Sequence, residues 1–179
     1  MASGEPAAAP WHAAYPTPRK TEPAIMSRDE LLSLITKING SVTKYFILID
    51  LRRTDNEGGM IQGSINLPAQ SLYPTIPTLY NIFKAAGLRK IIWFCCKTAQ
   101  MTHPKIAKIP SVLTLMGIAA SSRGRGSRAA LWFQDFLDDH GDSYMESLIL
   151  ADGIKGWATA GDDFVQWMDG YQADVWPNA

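Results

Sequence analysis

Thiols are scarce in this chain: of 179 residues only Cys95 and Cys96 are cysteine, and they are neighbours. Adjacent cysteines rarely reach disulfide geometry, which excludes a disulfide scaffold of the secreted kind. Net charge is missing as well. The 17 basic residues offset 17 acidic ones, so nothing global favours nucleic acid or a membrane surface as a partner. No apolar run approaches the roughly 18 to 20 residues of a membrane span, and the first residues lack the apolar stretch of a signal peptide. These absences point to a reducing compartment, cytoplasmic or alternatively nuclear. No metal-binding pattern is assigned.

What is present suffices for one core. Apolar side chains make up 46% of the residues, so a single domain with a loose end is expected. Residues 1–25 are rich in Ala and Pro and lack periodicity, which reads as a disordered or draped arm; Trp11, His12 and Tyr15 in it are expected to pack on the domain surface. Ser27 and Glu30 form a capping-box pattern ahead of an apolar face at Leu31, Leu32, Leu34, Ile35 and Ile38, and Asn39-Gly40 ends that helix. Nearly continuous apolar runs at 45–50, 91–95 and 148–151 predict parallel strands covered on both sides, with a very short strand at 64–67. Residues 72–86 read as a proline-rich connection with a helical tail. An amphipathic helix carries Ala129, Leu131, Trp132, Phe133, Phe136 and Leu137 and stops near Gly141. Gly153 and Gly156 predict a turn, and 164–168 a last helix. The alternation predicts an α/β fold, a mostly parallel five-stranded sheet with helices on both faces.

The chemistry concentrates between residues 91 and 128. A strand ending in thiols, IIWFCC, and a Ser/Arg/Gly turn opening a helix, SSRGRGSRAALWF, flank a segment without consistent helical spacing or strand alternation. A cysteine at the carboxyl end of a strand, followed by a tight loop into a helix, faces backbone N–H groups and the positive end of the helix dipole. Such a site favours the thiolate and binds oxyanions. Cys95 is the candidate nucleophile and Arg125 the planar clamp for a tetrahedral anion. Ser121, Ser122, Arg123 and Gly124 are the candidate substrate-binding residues of the loop, and Ser122 is a candidate hydrogen-bond donor to the thiolate. Asp50, Asp55, Glu57 and Asp152 all stand on loops suited to a general acid, and the sequence does not rank them. Asp50 and Arg52, at a strand end, are read as holding neighbouring loops together.

The order ILIDLRRTDNEGGMIQGSINLP, IIWFC, SSRGRGSRAALWF and LILADGIKGW resembles a rhodanese domain over most of residues 26–170, which implies a domain at 26–179. It is similar in particular to the fungal-type branch of small phosphatases and arsenate reductases related to the cell-division-cycle dual-specificity phosphatases. The resemblance implies a rhodanese-like fold and a loop of Cys, five residues and Arg, where sulfurtransferases usually have a shorter one. It implies a phosphocysteine phosphatase without cofactor, or an arsenate reductase using glutathione or a glutaredoxin, with a small oxyanion or phosphorylated substrate. A monomer without nucleic-acid or membrane partners is expected. A sulfurtransferase or a noncatalytic binding module is the alternative.

This chain departs from that pattern at two places. Met60 stands where the family often has histidine, and 29 residues separate Cys95 from Arg125 instead of five. A nest of consecutive amides aimed at one anion does not absorb such an insert, at about 96–119, so the chain as written is expected to be inactive. Codons for Cys96-Lys97 and Ala119-Ala120 can hold splice signals, and in-frame excision between them restores Cys, five residues, Arg. We read the segment as a translated intron; a genuine insertion in a noncatalytic or regulated module is the competing reading.

Overall fold

The computed structural model describes residues 9–38, 45–96 and 124–176, and the expected irregularity of residues 97–119 lies outside them. Strand β1 (Ala24–Met26) leads to helix α1 (Arg28–Ile38) and then to β2 (Phe46–Asp50), β3 (Met60–Ile61), β4 (Ser64–Asn66), α2 (Leu72–Ala85) and β5 (Lys90–Phe94). After the insert come α3 (Arg125–Asp139), β6 (Glu146–Leu150), α4 (Gly153–Ala158), α5 (Asp162–Val165) and β7 (Met168–Asp169). The main sheet has five strands in the order β1-β6-β5-β2-β4, and every pairing in it is parallel. A small antiparallel ribbon joins β3 to β7.

The strand sequences lack polar alternation because both faces are covered. On one face Ile49, Ile91, Trp93 and Ile149 pack with Leu72, Ile76, Tyr80 and Phe83 of α2 and Ala129, Trp132 and Phe133 of α3. On the other, Phe46, Leu48, Ile92, Phe94, Leu148 and Leu150 pack with Leu31 of α1, Ile154 and Trp157 of α4 and Phe164 of α5. Strand periodicity of two thus sorts alternate residues between two helical layers. One polar stitch runs through the first layer: Trp93 Nε1 donates to Ser147 Oγ at 2.9 Å, and that hydroxyl donates to the Ala130 carbonyl at 2.7 Å. The buried indole therefore loses no hydrogen bond when β5, β6 and α3 close on it.

The capping box forms as its residues predict. Glu30 N–H donates to Ser27 Oγ at 3.2 Å, and Ser27 N–H donates to Glu30 Oε2 at 2.8 Å. Three local expectations need correction. Residues 72–85 are helical throughout, because Pro74 lies in the first turn, where an N–H has no partner in the helix, and burial of Ile76, Tyr80 and Phe83 outweighs the donor lost at Pro77. The turn assigned to Gly153 and Gly156 is helix α4, in which a side chain at Gly156 would meet Asp152 Cβ at 2.3 Å. The last helix ends at Val165, and Met168 belongs to β7, drawn into the ribbon with Ile61.

The described part of the arm lies along α3. Trp132 Nε1 donates to the Pro16 carbonyl at 2.8 Å, Tyr15 stacks on Tyr73 at 4.9 Å, and Trp11 meets Trp132 edge-on at 6.0 Å. Arg19 bonds Asp139 and the Asp135 carbonyl.

Gly59 gives the sharpest test of backbone geometry. Its φ is +97°, and a Cβ there would stand 2.8 Å from the Asp169 carbonyl oxygen and 2.9 Å from the Gly170 carbonyl carbon. Gly141, also at positive φ, has open space around it. Gly59→Ala is expected to cost about 2–4 kcal/mol in urea unfolding and Gly141→Ala only about 1 kcal/mol. Equal losses would show that the close approach at Gly59 carries no energy.

Candidate functional site

The carboxyl ends of β2 and β5 lie side by side, with Asp50 opposite Phe94 and the Leu51 N–H donating to the Phe94 carbonyl at 2.8 Å. Cys95 follows Phe94 directly and, by strand parity, belongs to the face covered by α2 and α3, where it is 2% exposed. Its carbonyl accepts the Ile154 N–H at 3.1 Å, which fastens α4 to the end of β5. Gly124 and Arg125, the N-cap and first residue of α3, arrive at the same place from the far side of the insert.

These pieces enclose a pocket of about 450 Å³ lined by Cys95, Cys96, Gly124, Arg125, Lys155, Val175 and Trp176. Cys95, Gly124 and Arg125 are thus brought together, whereas Ser121, Ser122 and Arg123 lie outside the described residues. A second cavity of about 470 Å³, under the arm between Tyr73, Trp132 and Phe136, holds no nucleophile. Lys155, Val175 and Trp176 were not anticipated. Lys155 had a signal, since it follows β6 at the carboxyl end of a parallel sheet, where such folds place their ligands. Val175 and Trp176 come from a distant C-terminal turn with no local mark.

Arg125, the candidate anion clamp, is already engaged. Arg125 Nη1 donates to Asp55 Oδ1 at 2.9 Å and Nη2 donates to Asp55 Oδ2, a two-pronged pair. Hydrogen bonding to Arg125 holds the Asp55 carboxyl well below the usual carboxylate range, and the same bonds raise Arg125 above its ordinary value. Cys96 donates its thiol to Asp55 Oδ2 at 3.4 Å. Burial, followed by the hydrogen bond and charge of Asp55, pushes the Cys96 thiol up to about 11. Two sulfurs therefore stand at one pocket, and Cys96 is protonated at neutral pH.

None of the four acids weighed as proton donors lines the pocket among the described residues. Asp50 is fully buried with Arg52, whose Nε and Nη2 reach Asp50 Oδ2 at 2.9 and 2.7 Å. The same guanidinium donates to the carbonyls of Glu57 and Gly59, both at 2.7 Å. Asp50 and Arg52 hold a loop together, as the sequence reading has it. Asp55 is spent on Arg125, while Glu57 and Asp152 point their residues to solvent-exposed positions. Arg128 is partly exposed, makes no ion pair among the described residues and lies over the Trp132 ring at 5.8 Å, and burial lowers its pKa. Among the described residues no cluster of three potential metal ligands occurs, and no helix is long and apolar enough to cross a membrane.

No protein-family model and no curated protein matches this chain. Solved structures do. A structure of Ygr203w, a yeast protein tyrosine phosphatase of the rhodanese family, is 20% identical with a TM-score of 0.60 and covers 88% of this chain and 99% of its own. A second structure of Saccharomyces cerevisiae Ygr203w, described as a homolog of single-domain rhodanese and the Cdc25 phosphatase catalytic domain, is also 20% identical, with a TM-score of 0.59 and coverage of 87% and 94%. The As-Sb reductase from Leishmania major is 17% identical with a TM-score of 0.47 and coverage of 73% and 72%. The fold is therefore rhodanese-like, as the sequence motifs imply.

Two measurements test this geometry. Arg52→Ala leaves the Asp50 carboxylate buried without its cation and should destabilise the fold by about 3–5 kcal/mol in urea titration. A loss under about 1 kcal/mol would mean that water or another donor replaces the guanidinium. In a Cys95→Ser background, alkylation of Cys96 by iodoacetamide should rise about tenfold per pH unit from pH 7 to pH 10, because the thiolate reacts and its fraction grows toward a high pKa. Asp55→Asn should move that rise to lower pH. A rate that levels off by pH 8.5 contradicts the assigned burial and hydrogen bond.

Proposed function

We propose that this domain is a cysteine-dependent phosphatase of the rhodanese fold, with Cys95 as nucleophile and Arg125 as oxyanion clamp, and that the insert silences the chain as written. The observation that carries the reading is the meeting of Cys95, Gly124 and Arg125 at one pocket at the carboxyl end of the central strand. In the reaction, Cys95 Sγ forms a bond to phosphorus as the ester P–O bond breaks and the leaving oxygen takes a proton from solvent. Water then cleaves the S–P bond and releases inorganic phosphate. Arg125 and amides of the loop, including Ser121, Ser122, Arg123 and Gly124, hold the equatorial oxygens. No cofactor is needed.

Silencing is supported by what Arg125 does: with both prongs on Asp55 it is not open to a substrate oxyanion. The same pocket suits arsenate as a tetrahedral anion, and its reduction to arsenite would need two electrons from thiols such as glutathione or a glutaredoxin. We place the protein in the cytoplasm or nucleus as a monomer, where a reducing milieu keeps Cys95 and Cys96 as thiols.

Deleting residues 96–119 is expected to restore a seven-residue loop from Cys95 to Arg125. That form should hydrolyse p-nitrophenyl phosphate at least about a hundredfold faster than the full chain, and Cys95→Ser should abolish the turnover. Arsenate with glutathione and thiosulfate with cyanide, run in parallel, separate reductase and sulfurtransferase from phosphatase. Full-length turnover equal to the deletion form would refute silencing, and no turnover from either form on any of these substrates would refute the catalytic reading.

A further inference from the structure

Among the described residues two cationic side chains line the pocket beside Cys95, and they are in different states. Arg125 is held by both carboxylate oxygens of Asp55. Asp55 is itself steadied by the Arg53 N–H at 2.9 Å and by the Cys96 thiol, so it is a built contact and not a passing one. Lys155 makes no ion pair among the described residues; its backbone carbonyl accepts from Thr159, and its side chain stands half-buried on the pocket wall. Its position is set by the backbone, since the neighbouring Ile154 N–H is bonded to the Cys95 carbonyl and the Ile154 side chain is fully buried in the core. Trp176 and Val175 add an apolar surface to the lining.

We propose that Lys155 is a substrate-binding residue of this pocket, the cation that receives a tetrahedral oxyanion such as phosphate while Asp55 holds Arg125. The inference deepens the oxyanion chemistry proposed above and rests on it. An ammonium on a flexible stem acts as a point charge and tolerates several anion orientations, unlike the planar fork of arginine. It can therefore capture an anion in a pocket whose arginine is turned aside. The aromatic wall favours an aryl ester of that anion over a small alkyl one, since the indole gives the ring apolar cover. Asp55 competes with the ligand for Arg125, so removing its charge would add the second cation to the site.

Isothermal titration calorimetry of inorganic phosphate into the full chain tests the assignment. The unmodified protein should bind, Lys155→Gln should weaken binding by about tenfold or more, Lys155→Arg should retain most of it, and Asp55→Asn should tighten it. Circular dichroism checks that each variant is folded. Phosphate binding unchanged in Lys155→Gln, or absent from the unmodified chain at millimolar phosphate, overturns the inference. The deletion form separates the two readings. If it hydrolyses p-nitrophenyl phosphate with the same KM and kcat whether residue 155 is Lys or Gln, the role of Lys155 is overturned and the phosphatase stands. If it has no turnover while the full chain binds phosphate through Lys155, the phosphatase is overturned and the role of Lys155 stands; a raised KM with kcat unchanged in Lys155→Gln supports both.

Discussion

The buried ion pair of Asp50 and Arg52 is the interaction on which the geometry around the pocket depends. Both side chains are 0% exposed, and a pair so placed is tolerable only if its remaining hydrogen-bonding capacity is met. It is met by folding the chain back on itself. The guanidinium takes the carbonyls of Glu57 and Gly59, which closes the loop after β2, and the Trp176 ring lies over the same group at 5.9 Å while its Nε1 donates to the Gly58 carbonyl at 2.7 Å. One arginine thus joins the end of β2, the glycine turn and the C-terminal segment into a single unit. Asp55 rides on that loop and Trp176 lines the pocket, so the electrostatic and the apolar character of the site both descend from a contact that touches no substrate.

The sheet supplies the second constraint. Because β5 is the middle of five parallel strands, its carboxyl end is flanked by loops from both sides. Alternation along the strand puts Cys95 in the layer of α2 and α3, the helix whose first residue is Arg125. Placement of the two in one pocket follows from sheet packing and does not require the intervening chain to be short. A working anion nest asks for more, because consecutive amides must point at one spot, and sheet packing does not control that.

In the proposed reading, the state of Arg125 follows from competition between the Asp55 carboxylate and a phosphate substrate. A guanidinium matches a carboxylate as well as it matches a phosphate, and a carboxylate tethered a few ångströms away has a large advantage in local concentration. In the same reading Lys155 escapes that competition: it makes no ion pair among the described residues, and α4, fastened by the Ile154 bond to Cys95, carries it to the pocket.

By itself the sequence determined the fold and the likeness of its motifs to rhodanese domains. The apolar runs at 45–50, 91–95 and 148–151, too continuous for a half-solvated sheet, require helices on both faces, and the Ser27 capping box and the glycines that follow α2 and α3, Gly87 and Gly141, are local chemistry. The role of Asp50 and Arg52 as a structural pair was legible for the same reason, since two residues of opposite charge at a strand end have few other uses in a buried position. The tertiary structure alone decided that residues 72–85 would be helical despite two prolines, because the energy came from burying Ile76, Tyr80 and Phe83 against α3. It alone decided that Asp55 would meet Arg125, 70 positions away, and that Lys155 and Trp176 would wall the pocket. Those residues sit on loops and on the first turns of α3 and α4, where no periodicity reports a partner; where they meet is fixed by the sheet that anchors them and not by their own residues.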